Sequence, residues 1–230
     1  DRYKNLGGFK FEDITESANI IEGKSTWSTG VSFVDINADG YQDIYVCRSY
    51  SIGNEELQRN LLYINNGDLT FIESAKEFGL DDAGFSIQAS FFDYDLDGDL
   101  DVFVANHPID FRPKDPSIRH KKWLQPSLKE SNHLFRNEGN NRFTDVTIQS
   151  GLLEYGYTLG AITADINGDN WPDIYTTNDY EHPDRYYINN RDGTFRERLE
   201  KSFKHTSFFS MGVDFSDINN DSLADLAVVD

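Results

Sequence analysis

Short apolar, β-branched and aromatic runs recur along the whole chain, each closed off by Asp, Asn or Gly, and they predict strands joined by tight turns. One unit reads VDINADGYQDIYV (Val34 to Val46). It returns as FDYDLDGDLDVFV (Phe92 to Val104), ADINGDNWPDIYT (Ala164 to Thr176) and SDINNDSLADLAV (Ser216 to Val228). The polar loops inside these units begin at Asp35, Asp93, Asp165 and Asp217, spaced 58, 72 and 52 residues apart. A second unit alternates with the first: NLLYINNGDLTF (Asn60 to Phe71), NHLFRNEGNNRF (Asn132 to Phe143) and DRYYINNRDGTF (Asp184 to Phe195). The N-terminal YKNLGGFKF (Tyr3 to Phe11) fits the same frame, and its Asn/Gly turn is a two-strand hairpin signal.

From the closing Phe of the second unit to the next polar loop the distance is 24, 22, 22 and 22 residues. The connection from polar loop to second unit absorbs nearly all variation, at 25, 39 and 19 residues. Rigid repeats with one elastic joint place function in that joint. Each unit yields four strands over roughly 50 to 70 residues, the size of a propeller blade. The expected fold is therefore all-β, a β-propeller of four-stranded blades with the polar loops between first and second strands. The expected division is a half blade over 1–24, repeats over 25–80, 81–152 (with an insertion at 107–131) and 153–204, and a half repeat over 205–230. About four blades are present on this count, expected as a segment of a larger propeller, with a closed four-bladed ring whose two half units share a blade as the alternative. Antiparallel strands put the polar loops and the Asn/Gly turns at one end and the elastic connections at the other.

Charge sharpens the reading of the loops. Forty acidic against 21 basic residues give a net charge of −19, which argues against nucleic acid or an anionic membrane surface as partner. Fourteen of the acidic residues are aspartates within four nine-residue windows of pattern D-x-[DN]-x-D-x-x-x-D. Alternating carboxylate and amide oxygens with no softer ligand suit calcium. The expected side-chain ligands are Asp35, Asn37, Asp39 and Asp43; Asp93, Asp95, Asp97 and Asp101; Asp165, Asn167, Asp169 and Asp173; and Asp217, Asn219, Asp221 and Asp225. The carbonyls of Tyr41, Asp99, Trp171 and Leu223 complete the four sets. The sixth position needs left-handed backbone, easy for Gly40 and Gly98, tolerable for Asn170 and poorest for Ser222. An EF-hand would need glutamate at position 12. Val46, Val104, Thr176 and Val228 stand there, inside strand-like runs, so that alternative fails. Tight Asp/Asn turns without metal would explain one such loop, but four in register would pack anions that repel each other.

These loops and the N-x-L-Y-x-N-x-G-x-x-F hairpins resemble the FG-GAP/VCBS repeats of integrin-α-type propellers. More closely they are similar to bacterial surface proteins and the cartilage acidic protein group. The resemblance covers the chain apart from Pro108 to Ser131. It implies a calcium-stabilised propeller of about seven blades, with up to four structural Ca²⁺ in this chain. It also implies extracellular or cell-surface placement, as an outer-membrane lipoprotein in bacterial relatives, with protein or glycan partners. Gln88 and Ala89 depart from the pattern where the other repeats have Gly30, Gly160 and Gly212, and Ser222 departs from the usual glycine.

The longest connection, His107 to Ser131, holds Trp123 and six basic residues against three acidic ones. Arg112, Arg119, Lys121, Lys122 and Trp123 are its candidate partner contacts, weighed against a solvated insertion packed on its own blade. Tyr180, His182, Arg48 and Tyr50 lie in the corresponding connections. Cys47 is the single cysteine, which excludes a disulfide framework and a thiolate zinc site. No transmembrane run, nucleophile elbow, P-loop or Rossmann pattern is present. The leading function is a non-enzymatic binding or scaffold module. The alternative is a carbohydrate-active propeller enzyme, of polysaccharide lyase or hydrolase type, with its site on the loop face opposite calcium.

Overall fold

The computed structural model describes residues 2–20, 26–49, 53–108, 115–180 and 182–230. An N-terminal hairpin, β1 (Tyr3–Gly7) and β2 (Lys10–Asp13), precedes three four-stranded sheets. The first sheet is β3 (Trp27–Val34), β4 (Asp43–Ser49), β5 (Leu61–Asn65) and β6 (Phe71–Glu73), followed by a single helical turn, α1 (Ala75–Phe78). The second is β7 (Phe85–Phe92), β8 (Asp101–His107), β9 (His133–Asn137) and β10 (Phe143–Asp145), with helix α2 (Pro116–Leu124) between β8 and β9. The third is β11 (Thr158–Ala164), β12 (Asp173–Asn178), β13 (Arg185–Asn189) and β14 (Phe195–Glu197), followed by α3 (Leu199–Ser202). A hairpin of β15 (Gly212–Ser216) and β16 (Asp225–Val229) ends the chain. Every pairing is antiparallel between sequence neighbours, so each sheet is the four-stranded meander expected from the repeat.

Second strands are buried on both faces, which is why they read as unbroken apolar runs rather than alternating ones. Along β4, Ile44 and Val46 face Ala18 and the N-terminal segment, whereas Tyr45 and Cys47 face the second sheet. Along β8, Val102 and Val104 meet the first sheet, and Phe103 and Ala105 meet the third. The core is thus a series of layers between consecutive sheets, each side chain pointing one way or the other with period two.

First strands run side by side, β3 against β7, β7 against β11 and β11 against β15. Gly30 lets two of them touch, since a Cβ there would lie 2.4 Å from the Ile87 carbonyl oxygen. Gly30→Ala is accordingly expected to cost about 1–3 kcal/mol, read by urea denaturation. The corresponding position of β7 is Gln88, by its register opposite Ala105. Its amide bridges the next gap, donating to the Ala161 carbonyl at 3.0 Å and accepting from the Ala161 N–H at 3.2 Å. The departure from glycine is therefore a side chain acting as a strand-to-strand clamp.

A second tie recurs at the end of the sheets that carries the elastic connections. Asn60, Asn132 and Asp184 accept from the backbone N–H of Arg48, Asn106 and Asn178. Each also reaches the following repeat, at Ser86, Thr158 and Ser210. The first residue of the second sequence unit thus holds one sheet to its successor.

The basic connection contains α2, capped by Asp115, whose carboxylate accepts from the Ser117 N–H at 2.9 Å, with Pro116 in the first turn. Arg112 lies outside the described residues, as does Tyr50. Among the described residues no helix is long and apolar enough to cross a membrane.

Candidate metal centre

The four acidic loops share one backbone design. The first aspartate of each accepts two successive backbone N–H groups: Asp35 from Asp39 and Gly40, Asp93 from Asp97 and Gly98, Asp165 from Asp169 and Asn170, Asp217 from Asp221 and Ser222. Closing so short a ring bends the backbone into the left-handed region at the sixth position, with φ of 89° at Gly40, 98° at Gly98, 68° at Asn170 and 70° at Ser222. Ser222 adopts the geometry despite its Cβ. The fourth position is left-handed too, at Ala38, Leu96, Gly168 and Asn220, a requirement the sequence pattern did not reveal.

The ninth aspartate joins the loop to the neighbouring hairpin. Asp43 accepts from the Ile36 N–H at 3.1 Å and the Asn65 N–H at 2.8 Å. Asp101 does the same with Tyr94 and Asn137. Asp173 accepts from the Asn189 N–H and the Tyr186 hydroxyl. In return, Asn65, Asn137 and Asn189 donate to the carbonyls of Gln42, Leu100 and Pro172. Acidic loops and Asn/Gly turns therefore sit at one end of the sheets, and Asp43, Asp101 and Asp173 are buried there. Asp225 is half-buried at the start of β16, in a two-stranded sheet.

The second position anchors the first three loops from below. Ile36 and Tyr94 are buried between consecutive sheets, Ile166 packs against the following layer, and Ile218 is exposed. Asn189 also donates to the Tyr94 carbonyl at 2.8 Å, so the third sheet grips the second loop directly.

The second loop is the most metal-like. Asp93, Asp95 and Asp101 each offer a carboxylate oxygen, all within 4.8 Å of one another. Burial pushes the Asp101 carboxyl up to about 7, and the charges of Asp95 and Asp97 push the same way. Burial, then Asp97 and Asp93, also raises Asp95, whose Oδ1 is buried with no hydrogen-bond partner. An orphaned acceptor among like charges fits a hard divalent cation. In the first loop burial raises Asp43, with Asp39 and Asp35 adding to it. There Asn37 donates to Asp39 at 2.9 Å, and Asn219 donates to Asp221 at 3.1 Å in the fourth. Asp97, Asp99, Tyr41 and Leu223 are exposed, and Trp171 is half-buried.

At the opposite end, Lys122 is drawn inward. Its ammonium lies 2.7 Å from Glu130 and over the Tyr155 ring. Lys121 and Trp123 are exposed on α2, together with Ile118 and Leu124, while Arg119 is half-buried. Tyr180 and His182 converge on the buried rings of Tyr155 and Tyr157. Arg48 is buried in the first sheet. Burial pushes the Cys47 thiol far up, leaving an inert strand residue.

Residues 124–176 and 165–228 match the family model of the FG-GAP-like repeat. No curated protein matches the chain in sequence. Among solved structures, a lectin of Agrocybe aegerita, described for recognition of non-reducing terminal N-acetylglucosamine, aligns at 16% identity and a TM-score of 0.48 over 88% of this chain. The rhamnogalacturonan lyase of Bacillus licheniformis aligns at 14% identity and 0.46 over 87%. The chain spans 47% and 39% of the lengths of those two proteins. The matched repeats, which together span residues 124–228, support an FG-GAP-like repeat family for that part of the chain.

Proposed function

We propose that this chain is a calcium-stabilised propeller segment acting as an extracellular binding or scaffold module, with a protein or glycan partner at the cell surface. The observation that supports it most is the convergence of Asp93, Asp95 and Asp101 around the unpartnered Asp95 Oδ1. Asp97 and the carbonyl of Asp99 join that set, and Asp35, Asn37, Asp39 and Asp43 form its counterpart in the first loop. Calcium there would neutralise the buried carboxylates and lock each β-hairpin to its neighbour through the ninth aspartate. This is a structural role, because the metal loops lie at the opposite end from the variable connections.

Partner contact is assigned to that opposite end, on α2. The helix buries none of its residues and presents Lys121 and Trp123 outward, a basic and aromatic surface on an acidic protein. The test is a glycan array probed with the calcium-loaded chain and with Trp123→Ala and Lys121→Glu. Loss of retention of at least about ten-fold (1.4 kcal/mol) with unchanged melting curves is expected. Equal retention by all three proteins would remove α2 from the partner surface. Calorimetric titration showing no calcium bound at pH 7.5 would end the metal reading.

A further inference from the structure

The Asn/Gly turn that faces each metal loop places Gly67 in the first sheet and Gly139 in the second, at φ of 81° and 72°. The third sheet has Arg191 at that position, with φ of 67°. Its N–H keeps the turn's bond to the Asn189 side chain at 2.8 Å, as Gly67 and Gly139 do to Asn65 and Asn137. A side chain in left-handed backbone is strained unless something holds it. Here the guanidinium reaches across to the third loop, with Nη2 2.9 Å from Asp169 Oδ2. Asp169 is the fifth-position ligand of that loop. Burial raises its carboxyl, yet Arg191 and the Trp171 N–H more than offset this and hold it below the ordinary carboxylate value.

The rest of the third loop is satisfied in the same manner. Asp173 accepts from the Asn167 amide at 3.0 Å and the Tyr186 hydroxyl at 2.9 Å, besides the Asn189 N–H. Among the described residues, the orphaned buried carboxylate oxygen belongs to the second loop, and none belongs to the third.

We propose that Arg191 is a built-in counter-charge that closes the third loop without metal and makes it a weak, gated calcium site, unlike the second loop. The proposal rests on the calcium reading of the other loops and distinguishes this one from them. A divalent ion entering beside Asp169 must either displace the guanidinium, at the cost of its ion pair with Asp169, or sit next to it, where two cations repel at close range.

Trp171 reports on this loop alone, since its N–H bonds to Asp169 at 3.0 Å. The other two tryptophans, Trp27 and Trp123, are exposed and are replaced by Phe in the background used. Calcium is titrated into this background, into Arg191→Asn, which tolerates left-handed backbone and is neutral, and into Arg191→Lys, which keeps the charge. Trp171 fluorescence follows the third loop, and calorimetry follows total binding. Arg191→Asn is expected to move the Trp171 midpoint to roughly ten-fold lower calcium, with Arg191→Lys staying near the parent. Binding heat in all three proteins with coincident Trp171 curves, or an Arg191→Lys curve that moves with Arg191→Asn, overturns the gating role. Absence of binding heat in every protein overturns the calcium reading itself.

Discussion

In about 1 mM calcium Asp95→Asn melts roughly 2–4 °C below the parent chain, and in excess chelator it melts at or above it. The sign reverses because the same carboxylate is a ligand in one condition and an uncompensated charge in the other. Asp95 Oδ1 is buried without a partner, and Asp93 and Asp97 press on it electrostatically. The neutral amide relieves that repulsion when no cation is present. With calcium present, exchanging a charged oxygen ligand for a neutral one, of the kind Asn37, Asn167 and Asn219 offer at the same position, weakens the site by more than the relief. Extracellular calcium modules bind with Kd of roughly 0.1–1 mM. A site of about 0.1 mM stabilises the fold by roughly 1.4 kcal/mol at about 1 mM calcium through mass action. The first, second and fourth loops together would contribute about 4 kcal/mol, a large part of a domain's net stability. Chelation should therefore lower the melting temperature of the parent by roughly 10 °C. Magnesium should restore little of it, because it prefers a smaller octahedral cage. Asp99→Ala is the control, since Asp99 has an exposed side chain and offers only its carbonyl. Melting curves that coincide in calcium, magnesium and chelator would remove calcium from the fold's energetics.

The repeat arithmetic carried most of the architecture because it reports packing directly. Runs such as DIYV and DVFV are continuous because β4 and β8 are covered on both faces. The nearly constant spacing from the closing Phe to the next loop is the span over which one sheet crosses to the next. The left-handed sixth position was legible from Gly40 and Gly98, and Ser222 adopts it because the backbone ring closed by Asp217 demands it. What escaped lies in interactions that no spacing encodes. Gln88 looked like a defect in a glycine column and is a two-pronged amide bridge to Ala161. The α2 helix was signalled by Asp115-Pro116, a cap followed by a first-turn proline, and by Lys121 and Lys122 in the last turn. The abundance of charge and proline around it masked that signal. Arg191 lies in the second sequence unit, and its reach to Asp169 is visible only once the two hairpins are placed side by side.

Raising the pH from about 6.5 to beyond 9 removes on the order of 3 kcal/mol of stability through one buried pair. His133, at the start of β9, has Nδ1 3.2 Å from Asp82 Oδ2, an ion pair by distance rather than a well-aimed hydrogen bond. Its Nε2 lies 2.7 Å from the Leu128 carbonyl. Burial alone would depress the imidazole, but the Asp82 carboxylate and the Leu128 carbonyl outweigh it and raise His133 to about 9. Asp82 is lowered despite its own burial by His133, and by bonds from the Asn106 amide and the Gly84 N–H. For the imidazole, the contribution is fully present below the unfolded value of about 6.5 and fades as the pH passes its folded value near 9. For Asp82 the contribution is present above its unfolded value and is lost in acid, so the pair is strongest between these limits. The third repeat has Glu154 and Arg185 in the same places, 3.0 Å apart. Arginine keeps its charge across the range, so the alkaline loss belongs to the second repeat. The measurement is urea unfolding of the parent and His133→Gln in saturating calcium at pH 6, 7.5, 9 and 10. The difference between the two should be on the order of 3 kcal/mol at pH 6 and shrink toward zero by pH 10. A difference that stays constant with pH would show that His133 contributes by packing on Phe135 rather than by its charge.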